Sequence, residues 1–508
     1  MRPMPDPPEV PAATMRGRRR VLSAAWLGAS LLGAHSVARG ATPTPGSSFA
    51  RPSAKSIETG ANPGVWAALS GAAPGELGAV ARPVAGGAPL VDWNPRVPLN
   101  PASTMKVVTT YAALGLLGPD HRWQTTLHLD GVLRDGVLSG NLILRGGGDP
   151  KLVIEDMRAL IVRMRAAGLS DIRGDLLIDD ALFDLGTETN DSLDGEPWQP
   201  YNVPPHPALM NFKATRIVVR GEAGRVRISL DPPLADVRVR NELQVLDGPC
   251  GTQANALWIR DRDPGVSSPF EIRVGGRYVP ACGEQSVYAA VLGHREFIHG
   301  FFKAAWRAAG GRFEGRTRVA RGAAVTPVWM QWESPRTLRD VIQDINKYSN
   351  NVMTRQLLLT LAAQPGGPPA SPERARQKVL DWLVNQGLRM PELVIENGSG
   401  LSRAERISAG SLTELLVHAD RGPHAAELRA SLPRVGFDGT MRGRLRRHAI
   451  AGHAWIKTGS LRDVRSIAGY VDAASGRRYA VAMIANGPRL LGAQPAQDAF
   501  LRWVHEHG

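Results

Sequence analysis

Hydrophobic and polar positions change period several times along the chain. Over residues 64–97 short apolar runs such as Leu77-Gly78-Ala79-Val80-Ala81 are separated by glycine turns. They read as strands, until Pro98-Leu99-Asn100-Pro101 breaks them. Residues 102–117 are apolar nearly all round and close at Gly118, which predicts a buried helix with Ser103 in its first turn. Residues 123–325 then alternate with period two. Asp130-Gly131, Asp135-Gly136 and Ser139-Gly140 punctuate runs such as Asn141-Leu142-Ile143-Leu144-Arg145, as consecutive hairpins do. Further strand-like runs lie at 176–178, 216–220, 226–230 and 270–274, so the segment reads as largely β. Helical periodicity returns over 338–348, 351–362 and 375–386, with a Pro/Gly loop at 365–369. Strand-like 465–471 and 478–485 follow, and a helix over 496–507 closes the pattern.

Strands at both ends with helices between them predict an α/β multidomain fold: one sheet built from both ends of the chain, covered by helices, and interrupted by inserted β-rich domains. The expected division is 61–122 and 326–508 for the sheet-and-helix domain. The insertion spans 123–325, split into 123–183 plus 297–325 and a second part, 184–296.

The first residues read as an export signal (1–41) and a linker (42–60). Arg16-Gly17-Arg18-Arg19-Arg20 precedes an apolar run over 21–34, and Ser36-Val37-Ala38 offers a small-x-small cleavage site, with a second near Ala41. Paired arginines fit a twin-arginine or a Sec signal, and Met15 is an alternative start because residues 1–14 are Pro-rich and acidic. An uncleaved anchor is the alternative, although the run is short for a membrane span. Export to an oxidising periplasm favours joining the two cysteines, Cys250 and Cys282, in a disulfide; a reduced buried pair is the other reading.

An apolar content of 43% and a charged content of 21% over 508 residues describe a globular protein with a sizeable core. The net charge of +14 suits a membrane surface or polyanionic envelope polymers, or is a solvated arginine-biased surface. No dense basic run with interleaved aromatics lies beyond the N-terminus, which argues against nucleic acid. Only eight of the 61 basic residues are lysine, and two of these, Lys106 and Lys457, fall in chemically suggestive short motifs. Lysine loses its proton when desolvated and arginine does not, so a retained lysine in this chain points to proton chemistry.

Three segments can form one site: Ser103-Thr104-Met105-Lys106, Ser349-Asn350-Asn351 and Lys457-Thr458-Gly459. Three residues apart on a helix, Lys106 can place its amine beside the Ser103 hydroxyl and act as its base, provided burial or a positive neighbour such as Lys457 keeps it neutral. Ser349 can relay a proton while the Asn351 amide holds a carbonyl. Residues 456–460 read as an edge strand able to bind an extended peptide, with Gly459 clearing the approach, and Lys457 and Thr458 facing a terminal carboxylate. The amides of Ser103 and Ser460 are the natural oxyanion donors. Metal and cofactor have no part in this chemistry. The inserted segment carries no such nucleophile–base pair and is expected to shape substrate access.

In that order, Ser-x-x-Lys, Ser-x-Asn and Lys-Thr-Gly are the signature of serine acyltransferases inhibited by penicillin. The chain resembles the class C penicillin-binding proteins, the D-alanyl-D-alanine carboxypeptidase/endopeptidase family. The likeness runs through residues 100–106, 347–351, Gly398-Ser399-Gly400-Leu401-Ser402-Arg403, Gly436-Phe437-Asp438-Gly439-Thr440, Lys457-Thr458-Gly459-Ser460-Leu461 and Ile467-Ala468-Gly469-Tyr470-Val471. It implies a transpeptidase-like catalytic domain, stem peptides of peptidoglycan as substrate and β-lactams as covalent inhibitors. It also implies Thr458, Gly459 and Ser460 as substrate contacts. Arg403 is either a contact for stem carboxylates or part of a loop network. Asn397 departs from the family's usual Asp, and Arg462 follows the third motif. The rival readings are a β-lactamase-like hydrolase, for which no Glu-x-x-x-Asn follows the second motif, and a catalytically idle cell-wall binding protein.

Overall fold

The computed structural model describes residues 63–186, 195–222, 225–250, 256–261, 270–363 and 367–508. The signal and linker expected over residues 1–60 lie outside the described residues, as does part of the 365–369 loop.

Alternation of side chains along two near-continuously apolar strands organises the main core. Val464–Asp472 and Arg478–Asn486 pair antiparallel, and their residues divide by parity between two layers. Ala468, Tyr470, Ala480, Ala482 and Ile484 join one apolar cluster with Val107, Leu357 and Leu412. Ile467, Val471, Val481 and Met483 join another with Trp66, Phe500 and Val504. Both faces being covered explains why polar residues are few in these strands and fall mainly toward their ends. The full sheet runs Ala454–Leu461, Val464–Asp472, Arg478–Asn486, Leu77–Pro83, Val91–Trp93, antiparallel throughout, so it does combine the two ends of the chain.

The helices Leu338–Tyr348 and Asn351–Ala362 occupy the expected residues, and the next, Pro372–Asn385, starts earlier because Ser371 caps it with Pro372 at its first position. Residues 63–70 depart from the strand reading. Pro63–Ser70 is a helix, held by Trp66 packing edge-on to Phe500 at 5.1 Å and Trp503 at 6.0 Å in the closing helix Ala493–His507. Helix Ala409–Arg421, which covers the sheet, was not foreseen.

Within 123–325 the first hairpin is as expected: Gln124–Arg134 and Val137–Arg145 turn at Asp135-Gly136, both with positive φ (48° and 80°). They belong to a seven-stranded sheet, and two three-stranded sheets follow. The segment is less purely β than its turns suggest. Helices Ile154–Ala166 and His294–Ala308 cross it, burying Met157, Leu160, Ile161 and Met164, and Phe297, Phe301 and Trp306, at helical spacing. Cys250 and Cys282 are joined in a disulfide. Among the described residues no helix is long and apolar enough to cross a membrane.

Candidate active site

Ser103, the candidate nucleophile, sits where a short 3-10 turn, Ala102–Thr104, runs into the helix Met105–Leu117. Asn100 builds this turn. Its Oδ1 accepts from Ala102 N at 2.9 Å, its Nδ2 donates to Ser402 O at 2.9 Å, and its backbone exchanges two hydrogen bonds with the Asn486 amide. Ser103 is half-buried at its tip, while Lys106, one turn on, is fully buried.

Three acceptors hold Lys106. Its Nζ donates to Ser103 Oγ at 2.9 Å, to Asn351 Oδ1 at 2.7 Å and to the carbonyl of Ser399. Ser349 and Asn351 flank a tight helix–helix junction. Ser349 ends Leu338–Tyr348 in the left-handed region (φ 56°), and Asn350, not Ser349, caps the next helix by accepting from Met353 N at 2.9 Å. A non-glycine residue at positive φ is strained, and such strain collects at functional sites. The junction sends Ser349 toward the third motif and Asn351 toward the first.

Lys457 is fully buried on the edge strand Ala454–Leu461, and its Nζ donates to Ser349 Oγ at 2.9 Å and to Thr458 O at 2.7 Å. The Thr458 hydroxyl donates to Thr440 Oγ1 at 2.8 Å, which brings the 436–440 stretch to the site. Residues 433–435 cover the strand's free edge as far as Ile456, through Ile456 N to Pro433 O at 2.7 Å. Beyond that point no strand pairs with the edge among the described residues, and Ser460 is exposed there.

Gly459 has a task beyond the one its sequence suggests. A β-carbon on it would lie 2.2 Å from Ser466 Oγ and 2.7 Å from Pro101 O, so its missing side chain lets the strand press on the nucleophile's turn. Arg403 forms an ion pair with Asp463 and is exposed, which supports the loop-network reading. Asn397 braces its own loop: Oδ1 accepts from Ser399 N at 2.9 Å and Nδ2 donates to Leu401 O at 2.8 Å, a bond an aspartate could not make.

The electrostatics suit proton transfer. Burial, then the Lys457 and Arg355 charges, push Lys106 well below the ordinary lysine value, with Glu405 opposing them. Burial brings Lys457 down to about 7. Two further features escaped sequence reading. Glu405 is buried beneath the 396–400 loop and accepts from three successive backbone N–H groups. The inserted segment also reaches the helix that starts at Asn351: Arg355 donates to Tyr201 O at 3.0 Å and Val203 O at 2.9 Å, and Gln356 donates to His206 O at 2.7 Å. Among the described residues no group of three or more His, Cys, Asp or Glu is placed to hold a metal ion.

A buried lysine on a serine, a second lysine on a second serine and an open strand edge beside them, on a helix-covered sheet, define a serine acyl-transfer enzyme of the penicillin-binding type. A sequence profile of the D-Ala-D-Ala carboxypeptidase 3 (S13) family matches residues 67–506, and the chain belongs to that family. It is a serine-type D,D-carboxypeptidase. The D-alanyl-D-alanine carboxypeptidase DacB of Haemophilus influenzae is 26% identical over 416 residues, 78% of this chain and 82% of that one. The D-alanyl-D-alanine carboxypeptidase of Actinomadura sp. (strain R39) is 28% identical over 431 residues, 79% of this chain and 76% of that one. In fold, the crystal structure of penicillin binding protein 4 from Haemophilus influenzae matches with a TM-score of 0.74 at 23% identity, covering 87% of this chain and 99% of that one.

Proposed function

We propose that Ser103 is the nucleophile and Lys106 its base in cleavage of D-alanyl-D-alanine at the end of peptidoglycan stem peptides, and of D-amino-acid cross-links between them. The observation that carries this reading is the 2.9 Å contact between the Nζ of fully buried Lys106 and the Oγ of half-buried Ser103. Neutral Lys106 takes the Ser103 proton as Oγ attacks the carbonyl carbon, and the amides of Ser103 and Ser460 receive the oxyanion. Collapse expels D-alanine, or the cross-linked partner, whose amine takes a proton from the Lys106, Ser349 and Lys457 network. Water, deprotonated by Lys106, then hydrolyses the ester and restores Ser103. Asn351 holds Lys106 and the substrate amide; Thr458, Gly459 and Ser460 bind the substrate along the strand edge, and Lys457 with Thr458 receives its terminal carboxylate.

Residues 61–122 and 326–508 form the catalytic domain in this reading and 123–325 the insertion. Support comes from the five-stranded sheet, whose strands all lie within 77–93 and 454–486. Residues 16–38 support export to the periplasm. The test is labelling with a fluorescent penicillin, peptide mass spectrometry, and digestion of a stem pentapeptide and a cross-linked dimer. An adduct on the Ser103 peptide with D-alanine release is expected; an adduct elsewhere, or none, overturns the assignment.

A further inference from the structure

We propose that Glu405 is a positioning residue for the Lys106 base, holding the loop that docks the lysine and supplying the one negative charge set against the site's cations. The inference rests on the assignment of Lys106 as base.

The loop has no regular structure of its own to keep it in place. Gly398 and Gly400 adopt positive φ (71° and 81°), and a β-carbon on Gly400 would lie 1.9 Å from Ala102 O, so the loop is pressed onto the nucleophile's turn. What fixes it from below is one carboxylate oxygen. Glu405 Oε1 accepts from Glu396 N at 3.2 Å, Asn397 N at 3.1 Å and Gly398 N at 2.7 Å. Three successive amides converging on one atom orient the carbonyl of the following residue, Ser399 O, which accepts from Lys106 Nζ. Thr109, one turn further along the lysine's helix, donates to Gly398 O at 2.7 Å and ties the loop to the same helix.

The second oxygen is as informative. Among the described residues Glu405 Oε2 is buried with no hydrogen-bond partner, and Glu405 makes no ion pair. Burial pushes the Glu405 carboxyl above its ordinary value, while the three amides and the Lys106 charge pull it back toward the ionised form. The charge it carries when ionised is not cancelled by an ion pair and acts through the low-dielectric interior. The charged groups facing Lys106 are Lys457 from the edge strand, Arg355 from the helix that starts at Asn351, and Glu405 from this loop; only Glu405 is negative. The neighbouring carboxylate, Glu396, is engaged with the Ser402 hydroxyl. Glu405 thus moderates how far Lys106 is depressed, keeping the lysine basic enough to take the serine proton.

The test is the acylation rate constant for a fluorescent penicillin as a function of pH, with folding checked by circular dichroism. Glu405→Gln retains an oxygen for the three amides and loses the charge. Its ascending limb should move to lower pH by about one unit, because a lost negative neighbour lets Lys106 shed its proton more easily. Glu405→Asp keeps the charge and draws the carboxylate back. Its limb should stay while the rate falls about a hundredfold, the cost of misplacing the base. A Glu405→Gln limb that coincides with wild type in a folded protein overturns the electrostatic role, and an undiminished rate in Glu405→Asp overturns the docking role. If Glu405→Gln does not fold, the Glu405→Asp limb and rate decide. Failure of the underlying assignment reads differently: Lys106→Arg would then still acylate at a wild-type rate.

Discussion

A β-carbon on Gly459 would stand 2.9 Å from the backbone nitrogen of Ser103, closer than real β-carbons approach another residue's backbone. The strand carrying the third motif and the turn carrying the nucleophile are packed backbone to backbone, and Ser466, whose hydroxyl donates to Pro101 O, closes the same contact from the neighbouring strand. Gly459→Ala is therefore expected to push strand and turn apart while leaving most of the fold intact. Acylation by a fluorescent penicillin should fall at least about a hundredfold, as small displacements of reacting groups do. An Ala variant that acylates at the wild-type rate would show that the turn yields without cost.

The two lysines predict a bell-shaped pH dependence of kcat/KM for a stem pentapeptide, since this ratio reports ionisations of the free enzyme. As the proposed base, Lys106 works only after losing its proton, and burial with the Lys457 and Arg355 charges makes that loss occur well below the ordinary value of 10.5, so the ascending limb should lie far on the acid side of that value. Lys457 serves as a cation, and burial brings it down to about 7, so the descending limb should begin near pH 7 as its charge is lost. Lys457→Arg should abolish the descending limb, because arginine stays charged. A descending limb that persists in this variant would assign it to another group.

How much of this was legible in the sequence depended on whether its cause was local. The helices at 338–348 and 351–362 were readable because caps and apolar spacing lie within each segment, as with Thr337 accepting from Asp340 N. The hairpin at Asp135-Gly136 was readable for the same reason. Pro63–Ser70 was misread because its helix is decided by Trp66 meeting Phe500 from the other end of the chain. The site's lysines and serines could be named because three spaced motifs constrain one another. Glu405 could not, since Arg403-Ala404-Glu405-Arg406 reads as a solvated charged loop. Its burial comes from three backbone amides that only the folded loop brings together. Gly398 and Gly400 on either side of Ser399 were the available hint of a contorted backbone.

The Cys250–Cys282 bridge closes a loop with a sequence separation of 32. Chain-entropy reasoning gives it a stabilisation of about 3–4 kcal/mol. Thiol titration of the native, oxidised protein should find no free cysteine. Cys250→Ser with Cys282→Ser should lower the melting temperature while leaving penicillin acylation near wild type, since neither cysteine belongs to the site. Two titratable thiols before reduction would refute the bridge.

The inserted segment can be divided by its contacts. The wider excision that the sequence pattern suggests, 184–296, would remove Tyr201, Val203 and His206, which hold the helix starting at Asn351. Thr215 and Ala289 face each other on an antiparallel pair, so a short turn can replace residues 216–288 without spanning a gap. A folded variant of this kind should acylate within about tenfold of wild type, equivalent to about 1.4 kcal/mol in barrier. Arg355→Ala with Gln356→Ala, which frees the helix from the insertion, should reduce acylation more than the excision does. The reverse order would place the insertion's contribution in its distal sheets.

Arginine substitution separates the two lysines, because it preserves charge and forbids deprotonation. Lys106 donates to the nucleophile and must give up its proton before attack, so Lys106→Arg should lose the ~10²–10⁴-fold of a removed general base, or more. Lys457 contacts Ser349 and the strand carbonyl of Thr458, and its charge faces the place where a substrate carboxylate docks. Lys457→Arg should therefore retain measurable acylation, with the deficit in KM for the pentapeptide rather than in kcat. The bulkier guanidinium has to fit a fully buried site, so circular dichroism must first show both variants folded. Equal, complete loss in the two would mean that Lys457 transfers protons through Ser349 as an obligatory step. Equal survival would remove Lys106 as the base and leave Ser103 activated by some other group.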